Sequence, residues 1–226
     1  MTDTTHQKFI RAGLQRYPEL GYHKLSVRAL AAEAGVSPGM FHHLFTGKDA
    51  FIREMLRHHD RLIWGGLENA ALPDNPFAAL RGAIYITACS MRDNLAMVNR
   101  LLADSADGVA VVNDFIKANM EKRLAFFTQL LEACAETDDS RPAATTQRLA
   151  YLGCSVSAAM VVGVRFGQRG LLPGFIGGEV TEILSDEAIM QRIDWSLGTM
   201  FPSYEAQLHS SFKNKPIAPL RQEAPK

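Results

Sequence analysis

The residues best suited to do chemistry gather in the first quarter of the chain. Ser37-Pro38-Gly39-Met40 opens a short segment with small side chains, and His42 and His43 follow. Small residues let a backbone come close to a phosphate, and imidazole or hydroxyl groups can hydrogen-bond to base edges. Ser26 and Arg28 lie upstream and Lys48 downstream. Such a set suits docking on a polyanion. Catalytic patterns are missing: the chain has no HExxH, GxSxG, P-loop or GxGxxG, and Cys89-Ser90 has no histidine near it in sequence. Adjacent helical residues point about 100° apart, so His42-His43 and His58-His59 make poor metal pairs. No metal, no cofactor and no enzymatic activity are expected.

The charge distribution agrees. Lys+Arg and Asp+Glu are both 24 in 226 residues, which excludes a globally basic coat and an acidic disordered chain. Residues 1–61, however, hold nine Lys+Arg against six Asp+Glu, and six of the seven histidines. Three scattered cysteines, Cys89, Cys134 and Cys154, form no disulfide framework and point to a reducing compartment. The start, MTDTTHQKF, lacks the apolar core of an export signal. The uncharged run 149–164 has 16 residues and includes Gly153 and Gly163, short of the roughly 20 a spanning helix wants. It reads as a buried helix, and a cytoplasmic protein without a membrane segment is expected.

Helical punctuation dominates the elements that must position these residues, and about nine helices are predicted. The first covers about 5–17 with Phe9, Gly13, Leu14 and Tyr17 on one face, and Pro18 is expected to end or kink it. Ser26 caps a second helix, 27–34, stopped by Gly35. Ser37 caps a third with Pro38 at its first position, ending near Leu44, with Phe41, Leu44 and Phe45 inward. Thr46 and Asp49 form a capping box for a fourth, to about Leu67. Further helices follow over about 76–92, 95–103, 109–136, 145–168 and from Ser185 on, with loops at 137–144 and 171–184. The tail 213–226, with three prolines, is expected to be disordered.

Residues 26–44 have the anatomy of a helix-turn-helix, whose second helix enters the major groove. Ser26, Arg28, Ser37, Pro38, Gly39, Met40, His42, His43 and Lys48 are the candidate DNA contacts. Lys48, at the start of the fourth helix, is the phosphate anchor. Residues 7–56 resemble the DNA-binding domain of TetR-type transcriptional regulators. The likeness rests on Gly21-Tyr22, Ser26-Val27-Arg28-Ala29-Leu30-Ala31, Ala34-Gly35-Val36-Ser37-Pro38-Gly39 and His43-Leu44-Phe45-Thr46-Gly47-Lys48-Asp49-Ala50-Phe51. His42 departs from the family, which most often has Tyr there, and Met40 replaces a smaller residue.

The resemblance implies an all-α protein: an N-terminal three-helix DNA-binding domain at 1–50, then an effector-binding and dimerisation domain at 51–212. It implies a homodimer on a near-palindromic double-stranded operator, acting as a repressor released by a small effector. The soft and aromatic residues Met91, Phe115, Phe126, Phe127 and Met160 suggest an apolar or aromatic effector. Arg92, Arg100, Asp104 and Arg165 are candidates to fix its polar end. Val156, Met160, Gly163 and Gly167 form one helical stripe, and Ile189, Ile193 and Leu197 another. Paired between subunits, these stripes would make a four-helix bundle; otherwise the chain's own core uses them. A regulator that recruits a protein partner without an effector, and a helical enzyme, are the alternatives.

Overall fold

The computed structural model describes residues 3–137, 143–173 and 182–212, with side chains up to residue 208. The expected tail from residue 213, and much of the 137–144 and 171–184 loops, lie outside the described residues. Ten helices are described, and no strand among those residues: α1 Thr5–Lys24, α2 Val27–Ala34, α3 Gly39–Leu44, α4 Lys48–Glu68, α5 Pro76–Asp93, α6 Leu95–Ala106, α7 Ala110–Thr137, α8 Thr145–Gln168, α9 Asp186–Met200 and α10 Tyr204–Phe212.

Local capping explains most of the starts. Thr4 accepts from the Gln7 N–H at 3.2 Å, while the Gln7 side chain accepts from the Thr4 N–H at 2.9 Å. Ser26, Asn75 and Ser185 each accept from the backbone three residues on, at 3.1, 3.0 and 3.1 Å. Each cap contributes about 1 kcal/mol. Gly35 ends α2 in the left-handed conformation.

Four expectations need correction. Pro18 does not end α1. The break falls at Gly21, with φ 65° and ψ −179°. Proline only deletes the bond to one carbonyl, whereas Gly21 reverses the sign of φ, and the Tyr22 N–H it frees finds a carboxylate at Asp104, 2.8 Å away. Ser37 gives α3 no side-chain cap; Pro38 holds that position. The capping box at α4 does not form either. Gly47 is the cap, and the Asp49 carboxylate accepts instead from the Tyr22 hydroxyl at 2.5 Å. Finally, α8 is not uniformly α-helical: Gly153–Ala158 is a π turn, where the Ser155 hydroxyl donates to the Tyr151 carbonyl at 2.6 Å.

Helix α10 is additional to the sequence expectation. Tyr204 tethers it, donating its hydroxyl to Asp194 at 2.6 Å, and Asp194 in turn receives a two-pronged bond from Arg81 of α5 at 2.7 and 2.9 Å.

Two main cores result. The first joins Phe9, Tyr17, Leu30, Phe41, Phe45, Phe51 and Met55 to Met97 of α6, Val109 just before α7, and Val111 and Val112 of α7. It runs through the expected boundary at residue 50 and takes in α4 as far as Leu56. The second packs α5 against α7, α8, α9 and α10 around Phe77, Leu131, Val156, Met160, Ile193 and Phe201.

Candidate nucleic-acid interface

The helix-turn-helix is held from behind by aromatic rings. Phe41 and Phe51 are fully buried and Phe45 is 4% exposed. Phe9 meets Phe41 edge-on at 5.6 Å, and Phe45 meets Phe51 edge-on at 5.0 Å. Such contacts contribute roughly 0.5–1.5 kcal/mol each beyond burial and set the roll of α3. Leu44, expected inward, is 36% exposed, because α3 ends there and turns its last residue out.

The opposite face of α3 is open. Ser37, Pro38, Gly39, Met40, His42 and His43 are all exposed, and so are Ser26 and Arg28. The Ser26 hydroxyl already serves as the α2 cap. Arg28 has no ion pair among the described residues and projects from the first turn of α2. A Cβ added at Gly39 would meet nothing within 4 Å, so the tip leaves room for close approach of a partner.

Lys48 is more constrained than a free surface cation. Its ammonium sits 4.4 Å from the centre of the Tyr22 ring, and burial lowers its pKa against the opposing pull of Asp49. The Tyr22 hydroxyl is tied to Asp49, which raises the Tyr22 pKa. Lys48 is therefore held at the amino end of α4, where free N–H groups and the helix dipole already favour an anion. Tyr22 is the positioning residue that sequence reasoning missed. It stood in the resembling Gly21-Tyr22 pair, but nothing local announced its link to the fourth helix.

Behind this face lies a second unanticipated feature. Asp104 of α6 is 1% exposed. It accepts from the Tyr17 hydroxyl at 2.6 Å and the Tyr22 N–H at 2.8 Å, and pairs with Arg100 at 2.7 Å. Burial and this carboxylate raise the Tyr17 pKa well above the usual range. A Cβ at Gly21 would lie 2.6 Å from the Arg100 guanidinium, so glycine is needed there for space as well as φ. Arg100 and Asp104 thus join α6 to α1. Arg92 is likewise committed, to Asp93, Asp186 and the Leu184 carbonyl. Each of the three is thus engaged in contacts within the chain, although the buried Arg100 Nε has no hydrogen-bond partner among the described residues.

The second-domain expectations fare differently. Met91, Phe127 and Met160 belong to the second core, Phe126 packs with Trp64 at 6.3 Å, and Phe115 packs on the first core. The five residues are spread over three packing clusters. Of the two stripes, Val156, Met160, Ile189, Ile193 and Leu197 are at most 1% exposed. The chain's own core uses them, because periodicity marks an apolar face without saying what covers it. Gly163 faces inward as well: a Cβ there would meet Ile183 at 2.9 Å. Gly167 is half-buried. The outward face of the same helices carries Tyr151, Val162, Phe166 and Trp195, which are 44, 47, 43 and 63% exposed. Only 22% of the most apolar window of α8 is buried, so it is not the buried helix expected, although its mean hydropathy of 1.6 and its length would suit a membrane span. Cys134 is buried with its pKa pushed up to about 12, burial also raises that of Cys89, and Cys154 is exposed.

The described residues form a helix-turn-helix backed by aromatic rings, followed by a larger helical body. Residues 9–55 match the family model of the bacterial regulatory proteins of the tetR family. The HTH-type transcriptional regulator BetI of Brucella canis is 29% identical over 100 residues, covering 42% of this chain and 50% of BetI. The chain spans about half the length of the curated relatives it matches. Solved structures share the fold over most of the chain. FadR from Bacillus subtilis in complex with stearoyl-CoA superposes with TM-score 0.57 at 15% identity, over 79% of this chain and 97% of FadR. A Clostridium perfringens protein described as a fatty acid metabolism regulator gives TM-score 0.61 at 15% identity, over 83% of this chain and 97% of that one. Residues 9–55 are thus similar to the DNA-binding domain of the tetR family, and the matched curated relatives are named as transcriptional regulators.

Proposed function

We propose that the chain binds double-stranded DNA as a homodimer and represses transcription in the cytoplasm until a small molecule in the second domain releases it. The observation that carries this is the exposed tip formed by Ser37–Met40, His42 and His43, flanked by Arg28 and Lys48 and backed by a closed aromatic core. In this reading α3 enters the major groove and Lys48 with the α4 amino end grips a phosphate. Met40, in place of a smaller residue, offers an apolar contact to a thymine methyl.

One short recognition helix makes few base contacts, so a second copy is needed for a useful affinity. Tyr151, Val162, Phe166 and Trp195 supply the surface: two helices from each subunit close into a four-helix bundle. This face replaces the inward stripes expected from periodicity.

Release operates through α6 as well as α4. Asp104 holds the Tyr22 backbone, Tyr22 holds Asp49, and its ring lies under Lys48. A ligand that shifts α6 relative to α1 therefore moves the phosphate anchor. A coupling of about 1–3 kcal/mol suffices. The same fold in FadR was solved with stearoyl-CoA, which supports a ligand-responsive reading over one that only recruits a protein. The test is DNA selected from a random pool by the purified full chain. Enrichment of a near-palindrome, lost in the Arg28→Ala, Lys48→Ala double variant, is expected; absence of any enriched sequence would overturn the reading.

A further inference from the structure

Helices α4 and α7 flank a half-open groove of about 290 Å³, whose α4 side carries the exposed Arg53, Arg57 and Arg61. Its volume lies at the small end of ligand sites. The lining is unlike the soft apolar pocket expected from sequence. Three arginines follow one another at intervals of four residues along α4. Like charges at that spacing repel by a few tenths of a kcal/mol per pair, and burial of a shared anion relieves the repulsion.

The chain itself does not supply that anion. Of the two carboxylates in the groove, Asp60 is committed to Arg123 of α7 at 2.8 Å, and Arg123 lies 4.6 Å over the Trp64 ring. Asp114 is exposed and forms no ion pair with any described residue. Arg53, Arg57 and Arg61 likewise have no ion-pair partner among the described residues. Across from them, Val111, Phe115 and Ala118 give α7 an apolar strip, and Asn119 a neutral hydrogen-bonding end. Guanidinium groups grip carboxylates and phosphates in two-pronged fashion. The geometry points to a ligand with an acid group at one end and a compact apolar body at the other.

We propose that this groove binds a small organic anion, its carboxylate or phosphate held by Arg57 and Arg61 and its apolar body lying on Phe115. The proposal rests on the ligand-responsive reading above and names the chemical class of its effector. The groove adjoins the first core, with which Val111 and Phe115 pack, and Asp60 and Arg123 link it to a smaller cluster around Trp64. An occupant there separates or clamps α4 and α7 directly.

Calorimetric titration of the full chain tests it with octanoate, octyl phosphate, octyltrimethylammonium, octanol and inorganic phosphate. The two octyl anions should bind saturably and at least tenfold tighter than the cation and the alcohol. The double variant Arg57→Gln, Arg61→Gln should weaken them at least tenfold with its helical circular dichroism intact, while Arg169→Gln, outside the groove, should not. A preference for octyl phosphate over octanoate assigns a phosphate ester, and the reverse a carboxylate; both uphold the class. Equal binding of the octyl cation, unchanged binding by the double variant, or inorganic phosphate binding as tightly as octyl phosphate would overturn it. So would a double variant that loses DNA affinity but keeps octyl-anion affinity, since that assigns the arginines to the duplex. Selection of an operator by the wild-type chain is measured separately, so failure of the ligand arm with DNA binding intact rejects only the ligand class.

Discussion

Replacing Asp104 by Asn probes the joint between the two parts of the molecule. The carboxylate is buried and makes three contacts, to the Tyr17 hydroxyl, the Tyr22 N–H and Arg100. Hydrogen bonds to a charged acceptor contribute about 1.5–3 kcal/mol each, and stripping a buried pair of one partner costs about 3–5 kcal/mol. Asparagine keeps one acceptor, and Arg100 is 24% exposed and regains some water, so the cost falls to about 2–4 kcal/mol. In a chain of this size each kcal/mol lowers Tm by roughly 2–4 °C, giving a drop of roughly 5–15 °C by circular dichroism. Tyr17→Phe alone should cost about 1–2 kcal/mol, and the double variant should cost less than the two added together, because both remove one shared bond. An Asp104→Asn protein melting within about 1 °C of the parent, or strict additivity with Tyr17→Phe, would refute the idea that this carboxylate ties α6 to α1.

Other outcomes follow from the same contacts. Lys48→Ala should weaken binding to all DNA sequences and reduce the salt dependence by about one counterion, and Tyr22→Ala should approach it by releasing the lysine; gel shifts across a salt series measure both. Trp195→Glu should convert dimers to monomers in sedimentation without unfolding the chain, since the ring is 63% exposed, whereas Gly163→Leu strikes Ile183 of its own subunit and is expected to destabilise the monomer. Burial lowers the His59 pKa, helped by Arg123 and His58 and opposed by Asp60. The unfolded chain then takes up the proton first, so stability is complete above about pH 6.5 and declines as pH falls through the folded-state value, a slope that His59→Gln should flatten in urea titrations. Tyr17 and Tyr204 have raised pKa values, so their contribution holds up to about pH 10 and is lost progressively above it, which alkaline melting curves of Tyr204→Phe should reveal as a reduced slope.

What could be read from sequence was what is decided within a few residues. The caps Ser26, Asn75 and Ser185 act on the backbone three positions away, so α2, α5 and α9 begin where the side chains say. The exposed small-residue tip of α3 is local too. What escaped depends on distant partners. Gly21, rather than Pro18, breaks α1 because Asp104, 82 residues away from Tyr22, takes up the freed N–H. Asp49 abandons its own helix end for a tyrosine 27 residues back. On α8 and α9 both faces are apolar, and periodicity could not tell the one buried by α5 and α7 from the one left open. The groove arginines were legible as residues, but their sharing one groove with Phe115 needed the packing of α4 on α7.

The central claim concerns two α3 tips on one duplex, and footprinting of the purified full chain on its selected operator tests it most directly. The account predicts two protected half-sites centred about one helical turn apart or a multiple of it, on one face of the duplex, both lost together in Trp195→Glu at concentrations that saturate the parent. A single asymmetric footprint, or full protection by a monomeric Trp195→Glu protein at the same concentration, would contradict it.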